Sequence, residues 1–120
     1  MKILITGGSG LLGQYLNLAI SANHNILTFY HSNIGNCADF NSSEIELLDT
    51  IELSRVFNDF KPDIIFHTAA ISQPILPEGI SPRDVYELNV TATKNIAKLC
   101  EKFNSKLIYT STDLVYAGYR

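Results

Sequence analysis

The sequence predicts an α/β domain with a doubly wound parallel sheet of about five strands and helices on both faces. Short apolar runs alternate along the chain with stretches of helical periodicity, which is typical of repeated β-α-β units. A glycine-rich turn joins the first apolar run to the first helical stretch. The 120 residues are 46% hydrophobic and 18% charged, a composition that suits one folded domain over residues 1–120.

The first half of the chain predicts three strands and a helix. Residues 2–6 are a compact apolar run, the pattern of a strand buried on both faces. A helix is expected from about 10 to 22, and a second strand over 26–30. The polar stretch 31–43 reads as a loop, and a short strand is expected near 45–47. The helical residues that recur at three- and four-residue spacing are Leu12, Leu16, Ala19 and Ile20.

Capping patterns define the helices of the second half. Asp49 with Glu52 fits an N-cap, and Pro62 marks the end of the helix that follows. Ser81 and Asp84 around a first-turn proline open a long helix. Strands are expected over 63–67 and 106–110, with a connecting loop over 71–81. The buried helix faces are expected to carry Leu53, Val56, Phe57, Phe60, Val85, Leu88, Ala92, Ile96, Leu99 and Phe103.

The glycine-rich turn, Gly-Gly-Ser-Gly-Leu-Leu-Gly, lies between the first strand and the first helix. Glycine permits backbone angles closed to other residues and lets a pyrophosphate approach the main chain. The helix presents free amides and the positive end of its dipole to such an anion. This context predicts dinucleotide binding and hence a Rossmann-type sheet, and a tight turn without a ligand is the alternative. The residues predicted to bind the pyrophosphate are Gly7, Gly10, Leu11, Leu12 and Gly13.

The end of the second strand, Tyr30-His31-Ser32-Asn33, bears on the choice of coenzyme. Sites that prefer NAD place Asp or Glu about 20 residues after the glycines to bind the ribose 2′-hydroxyl. Here no carboxylate is present to repel a 2′-phosphate, and no Arg or Lys is present to attract one. The sequence favours NADP and leaves NAD open. His31 is the candidate contact, with a solvated loop residue as the alternative.

Small and hydroxyl side chains follow the fourth and fifth strands, at the edge where ligands of open parallel sheets bind. His67 ends the fourth strand and is expected to be a hydrogen-bonded structural residue rather than a base. The run Thr68-Ala69-Ala70 would let a cofactor lie close to the backbone. The run Thr110-Ser111-Thr112-Asp113 would place hydroxyls beside the nicotinamide, although turn and helix-cap chemistry explains it equally well.

Charge and composition exclude several classes of function. The net charge of −3 argues against nucleic-acid binding, and no apolar run reaches the ~18 residues that cross a bilayer. The first apolar run meets glycine too soon for a secretory signal. No metal site is predicted, because His24, His31 and His67 share no ligand spacing. Cys37 and Cys100 are expected to be unpaired thiols in a cytoplasmic protein.

Five segments, in order along the chain, resemble the extended short-chain dehydrogenase/reductase family. They are 6–13, 46–49, 67–70, 89–93 and 111–116. Within that family, the Lys61-Pro62-Asp63 entry to a strand and the Ser-Thr-Asp-x-Val ending are most like the dTDP-4-dehydrorhamnose reductase branch.

The resemblance implies NAD(P)H-dependent reduction of a nucleotide-linked 4-keto sugar, with that sugar as partner and a homodimer left open. An epimerase of the same family and a non-catalytic NADP-binding regulatory subunit are the alternatives. It implies that Glu46 and Leu47 flank the adenine, and that Thr68, Ala69 and Ala70 line the ribose and nicotinamide. Thr112 would be the catalytic hydroxyl, with Asn89 supporting the proton relay and Asp113 meeting the sugar.

The chain departs from the family at the proton donor. The family uses a Tyr whose pKa is lowered by a Lys four residues on, but here Tyr86 is followed by Val90 and Tyr116 by Arg120. Family members are also much longer. We interpret these residues as the N-terminal part of a longer reductase, without the substrate-binding part. The loop 71–81 and the run 116–118 differ from the branch, which leaves the sugar open.

Overall fold

A computed structural model describes residues 1–70 and 78–110 of the chain. Its centre is a parallel five-stranded sheet in the order β3-β2-β1-β4-β5. This arrangement confirms the predicted Rossmann-type fold, in which the strand order reverses beside β1. The strands are β1 (Lys2–Thr6), β2 (Asn25–Tyr30), β3 (Ser42–Glu44), β4 (Ile64–His67) and β5 (Lys106–Tyr109).

Helices connect these strands on both faces of the sheet. The helical segments are α1 (Leu11–Ser21), a 3-10 turn (Gly35–Asp39), α2 (Thr50–Phe60), α3 (Pro82–Tyr86), a π-helical turn (Glu87–Thr91) and α4 (Ala92–Phe103). Alternate residues of β1 face opposite layers, as the pleat requires. Ile3 and Ile5 pack towards α1, whereas Leu4 belongs to the larger core formed with α2 and α4.

The predicted helix caps are confirmed. The Asp49 side chain accepts a hydrogen bond from the Glu52 amide at 3.1 Å, and this cap starts α2. Ser81 and Asp84 form a capping box at the start of α3. Beyond α3 the long helix continues, but it widens through the π-helical turn before α4 begins. The sequence pattern did not predict that widening.

The buried face of α1 differs from the predicted one. Leu12 and Ala19 are exposed, and Gly13 and Asn17 are the buried residues of the helix. The reason is that Gly13 packs against the glycine-rich turn. Asn17 lies one helical turn later on the same face of α1, so this face points towards the protein. Leu16 and Ile20 pack beside the smaller core, as predicted.

The third strand lies three residues earlier than predicted. Ser42 and Ser43 pair with Thr28 and Phe29 of β2, and only then does the chain reach residues 45–47, where the strand is expected. Ile45 and Leu47 are buried in the core beside α2, and the pairing with β2 ends at the hydrogen bond from the Ile45 amide to the Tyr30 carbonyl oxygen. The buried side chains therefore come after the residues that form the strand.

Neither cysteine is paired: Cys37 and Cys100 are free and buried, as predicted. Burial raises the pKa of the Cys100 thiol to about 11. In the described parts of the chain, no helix has both the length and the apolar character that a membrane span needs.

Candidate dinucleotide site at the carboxyl edge of the sheet

The glycine-rich turn begins with a backbone conformation that favours glycine. Gly7 has φ +65°, in the left-handed region, and its carbonyl oxygen accepts a hydrogen bond from the Gly10 amide at 3.0 Å. Helix α1 then starts at Leu11 with Gly10 as its N-cap, and no side chain caps its first amides. Its first turn also carries no acidic residue. The positive end of α1 therefore faces the sheet edge with no side-chain cap and with no acidic residue in its own first turn.

The turn is also shaped by the lack of side chains. A Cβ added to Gly13 would overlap the carbonyl oxygen of Gly7, and one added to Gly7 would lie 2.7 Å from Thr68 Oγ1 and 2.8 Å from the Ala69 nitrogen. Among the described residues, a Cβ at Gly10 would meet only the Gly7 carbonyl oxygen, at 3.4 Å. The glycines at 7 and 13 are thus required by packing within the protein, whereas the one at 10 leaves open space.

A cavity of about 490 Å³ lies beside this turn. Buried apolar residues of β2 and of the segment after β3 line it, together with the half-buried Leu88 of the long helix and charged residues at its rim. Five residues predicted to bind the cofactor border it: Gly7, His31, Glu46, Leu47 and Ala69. The structure therefore brings together residues that are far apart in the sequence, in a mainly apolar space open at one side.

The rim of the cavity is mostly acidic. His31 Nε2 lies 3.2 Å from Glu46 Oε2, and both side chains are largely exposed. The Glu46 side chain also accepts a hydrogen bond from the Leu48 amide at 3.2 Å. Asp84 and Glu87 border the cavity from the helical side. Its described lining contains no Lys or Arg, so His31 is the one side chain there that can become a cation.

The turn after β4 is held against β1 by hydrogen bonds. The Thr6 hydroxyl oxygen accepts from the amides of Thr68 at 3.0 Å and Ala69 at 3.2 Å. The Thr68 hydroxyl donates to the Thr6 carbonyl oxygen at 2.6 Å. His67 beside them is buried and hydrogen-bonded, as predicted, and burial lowers its pKa to about 4. Its ring is therefore neutral at neutral pH.

Other predicted site residues lie outside this cluster. Leu11 and Leu12 are exposed at the start of α1, so it is their amides and not their side chains that face the turn region. Asn89 lies in the π-helical turn and is half-buried. Ala70 is exposed. The predicted catalytic and sugar-binding residues Thr112 and Asp113 lie outside the described residues.

Comparison with known families gives a match over the whole chain. The RmlD substrate binding domain family matches residues 1–120. The chain belongs to this family. Membership of the RmlD family agrees with the likeness to dTDP-4-dehydrorhamnose reductases that the sequence motifs indicated.

Three proteins that are similar to this RmlD-family chain are each more than twice as long as it is. It is 32% identical to methionine adenosyltransferase 2 subunit beta of Pongo abelii, over 98% of the chain and 34% of that protein. A hypothetical dTDP-4-dehydrorhamnose reductase from Sulfolobus tokodaii superposes with a TM-score of 0.85 at 28% identity, over 100% of the chain and 42% of that protein. WbmG of Bordetella bronchiseptica, in complex with NAD and UDP, superposes with a TM-score of 0.79 at 30% identity, over 95% of the chain and 38% of that protein.

Two residues of this RmlD-family site were missed by sequence reasoning. A Cβ at Gly8 would overlap Thr28 Oγ1 and lie 2.9 Å from Cys37 Sγ, so this glycine is as constrained as its neighbours. The buried Asn17 donates from Nδ2 to the Gly8 carbonyl oxygen at 3.0 Å and to Asn36 Oδ1 at 2.9 Å. A polar residue four positions after Gly13, on the same helix face, was the available signal.

Proposed function

We propose that this chain is the dinucleotide-binding part of an NAD(P)(H)-dependent oxidoreductase that reduces a nucleotide-linked 4-keto sugar. One observation carries the proposal: the cavity of about 490 Å³ opens beside Gly7, next to a helix start whose amides no side chain caps. Similarity to a hypothetical dTDP-4-dehydrorhamnose reductase, and to WbmG with bound NAD and UDP, supports it. A bound nicotinamide dinucleotide would supply the hydride.

The chain's own residues fit such a ligand. The apolar lining at Phe29, Ile45 and Leu47 suits a flat adenine ring, with Glu46 at its edge. We propose that the pyrophosphate lies over the glycine-rich turn, where the amides of Leu11, Leu12 and Gly13 are the donors. Gly10 leaves the space that the phosphates need, because a Cβ there has one neighbour within 4 Å in the part of the chain that the structure describes.

We propose NADP(H) as the preferred coenzyme, with NAD(H) also accepted. The end of β2 carries His31 where NAD-preferring sites carry a carboxylate, and a protonated imidazole attracts a 2′-phosphate. The contact of His31 with Glu46 places a negative charge in the same position, since the two side chains are 3.2 Å apart. Because the charge of Glu46 opposes that of a protonated His31, we expect the preference for NADP(H) over NAD(H) to be small.

The catalytic assignments remain proposals from the family resemblance. We propose that Thr112 binds the substrate carbonyl, that Asp113 contacts the sugar and that Asn89 supports the proton relay. The 120 residues contain no Tyr followed four positions later by Lys. We therefore expect this chain to bind the coenzyme weakly and to turn over no keto sugar. The cytoplasm is the compartment that we propose for it.

Titration of the chain with NADPH and NADH, followed by nicotinamide fluorescence, tests the proposal. We expect Gly10→Val to abolish binding while the unfolding transition stays near that of the wild type, because the new side chain fills the pyrophosphate position and contacts little protein. Leu18→Val, on the exposed face of α1, is the matched control. Equal affinities for Gly10→Val and wild type would exclude the glycine-rich turn as the site.

A keto-sugar assay tests the second half of the proposal. With NADPH and a dTDP-linked 4-keto sugar present, we expect no oxidation of NADPH above background. Turnover by these 120 residues would contradict the assignment of proton donation to a Tyr–Lys pair that they lack.

A second candidate function is a non-catalytic, NADP-binding regulatory subunit. It is favoured by the likeness to methionine adenosyltransferase 2 subunit beta, which spans 98% of this chain and 34% of that protein. The parent gene distinguishes the two. A Tyr-x-x-x-Lys within about 30 residues after Arg120 supports the enzyme, and its absence there supports the subunit.

A further inference from the structure

The buried ring of His67 connects β1 to α4, and each of these elements adjoins a segment that lines the cavity. Its Nδ1 lies 2.7 Å from Thr6 Oγ1, at the end of β1, and its Nε2 lies 2.8 Å from Thr93 Oγ1, in α4. The ring also stacks on Tyr109 of β5, with 5.6 Å between the ring centroids. Both ring nitrogens are thus hydrogen-bonded to hydroxyls from different parts of the fold.

The α4 end of this contact determines which nitrogen carries the proton. The Thr93 hydroxyl lies 2.9 Å from the carbonyl oxygen of Asn89, and a carbonyl oxygen can only accept. The Thr93 hydroxyl therefore donates its proton to the Asn89 carbonyl oxygen, and Thr93 Oγ1 must accept a hydrogen bond from Nε2 of the ring. It follows that Nε2 of His67 is protonated.

The β1 end leads independently to the same tautomer. The Thr6 hydroxyl oxygen already accepts from the amides of Thr68 and Ala69, so both of its lone pairs are used. Its own proton is then the one that points to His67, whose Nδ1 must accept. The result is one continuous hydrogen-bond chain, from Thr6 through His67 and Thr93 to the Asn89 carbonyl, in which every donor has an acceptor.

The two ends of the hydrogen-bond chain adjoin two walls of the cavity. Gly7 and Ala69, at the glycine-rich turn and the turn after β4, form one wall, and Glu87 and Leu88 of the π-helical turn form the second. The Thr6 oxygen holds the Ala69 amide, and the Thr93 hydroxyl holds a carbonyl of the π-helical turn. Two walls that share no strand or helix are therefore joined through a single side chain.

We propose that His67 is a positioning residue that fixes the separation of these two walls through the hydrogen-bond chain and so sets the width of the cavity for the dinucleotide. The inference rests on the proposed function for the identity of the ligand. It goes beyond that function, because His67 is not a lining residue and would act through the segments that Thr6 and Thr93 hold. Among the described groups packed against the ring, Tyr109 is the titratable one.

The proton assignment is tested by ¹⁵N NMR of the histidine side chains in the 120-residue chain without any ligand. We expect His67 to be in the Nε2–H form. Thr93→Val removes the hydroxyl oxygen that accepts the Nε2 proton while the side chain keeps nearly the same shape, and Thr93→Ser keeps that hydroxyl. We expect the ring signals to change in Thr93→Val and to stay as in the wild type in Thr93→Ser. A wild-type ring in the Nδ1–H form would overturn the proposal.

The coupling between the walls is tested by hydrogen exchange of the Thr68 and Ala69 amides, again without ligand. Breaking the hydrogen-bond chain at Thr93 should speed exchange at these distant amides by about tenfold in Thr93→Val and leave it within about twofold in Thr93→Ser. In the described structure both amides donate to Thr6 and not to Thr93, so the loss of a direct hydrogen bond does not explain such an effect. Unchanged exchange in Thr93→Val would overturn the proposal.

NADPH affinity connects the inference to the proposed function. We expect Thr93→Val to bind about tenfold more weakly than Thr93→Ser, with both folded. Wild-type affinity in Thr93→Val would overturn the positioning role. If the wild type binds no dinucleotide at all, the proposed function fails. The NMR and exchange results then decide the role of His67 by themselves.

Discussion

Two regions of the carboxyl edge of the sheet are held in place by opposite means. The glycine-rich turn depends on missing side chains, since an added Cβ at Gly8 or Gly13 would overlap neighbouring protein atoms. The end of β4 depends on polar side chains, since Thr6 and His67 fix the position of the following turn by hydrogen bonds. The first region tolerates no added side-chain volume, and the second requires side chains that can form particular hydrogen bonds. The two regions should therefore respond to different substitutions.

The largest effect is expected in the glycine-rich turn. Gly13→Val would place Cβ against the Gly7 carbonyl oxygen, which is backbone and cannot turn aside. We expect the free energy of unfolding to fall by about 3 kcal/mol or more. Urea denaturation of this variant and of Gly10→Ala, where a Cβ has space, measures the difference. Similar unfolding midpoints for the two variants would contradict the steric account of the turn.

A pH titration tests the end of β4. Burial lowers the pKa of His67 from 6.5 to about 4, so the unfolded chain binds more protons than the folded chain between these values. The contribution of His67 to the free energy of unfolding is therefore fully present above pH 6.5 and is lost as the pH falls towards 4. We expect this loss to be about 3 kcal/mol.

The matched control for that titration is His67→Gln, which keeps an N–H for Thr93 but has no group that titrates in this range. The difference between the two curves isolates the imidazole from the carboxylates, which titrate at similar pH. Parallel curves for the wild type and His67→Gln from pH 7 to 4 would show that the ring is not held neutral by the fold.

The smallest effect is expected at the exposed rim, outside both regions. Glu46→Gln removes the negative charge beside His31, in a pair whose side chains are 71% and 53% exposed. Stability should change by less than about 0.5 kcal/mol. The ratio of NADPH to NADH affinity should rise by about threefold and the gain should shrink at high salt. His31→Gln should lower the ratio, and an unchanged ratio in both variants would exclude the pair from coenzyme selection.

Sequence patterns predicted the parts of the fold that are determined locally. The run 2–6 with the glycines after it identifies β1, the turn and the start of α1 because neighbouring residues specify them. The caps at Asp49 and Ser81 were predictable for the same reason, since each bonds within four residues. Ile45 and Leu47 misplaced β3, because their side chains are buried in the core beside α2, whereas the strand itself is formed by the three residues before them.

The segments of the candidate site that meet at the sheet edge were predictable from the sequence, since parallel strands must end on the same side. Their side-chain contacts were not, because those depend on how the helices pack on the sheet. The tertiary structure buried Asn17 against the turn, joined His31 to Glu46, and linked Thr6 through His67 to Thr93. These contacts join residues up to 61 positions apart, as at Thr6 and His67, and local patterns carry no information about such distances. Hydrogen-bond direction in particular depends on the partners that packing supplies, and no residue specifies it alone.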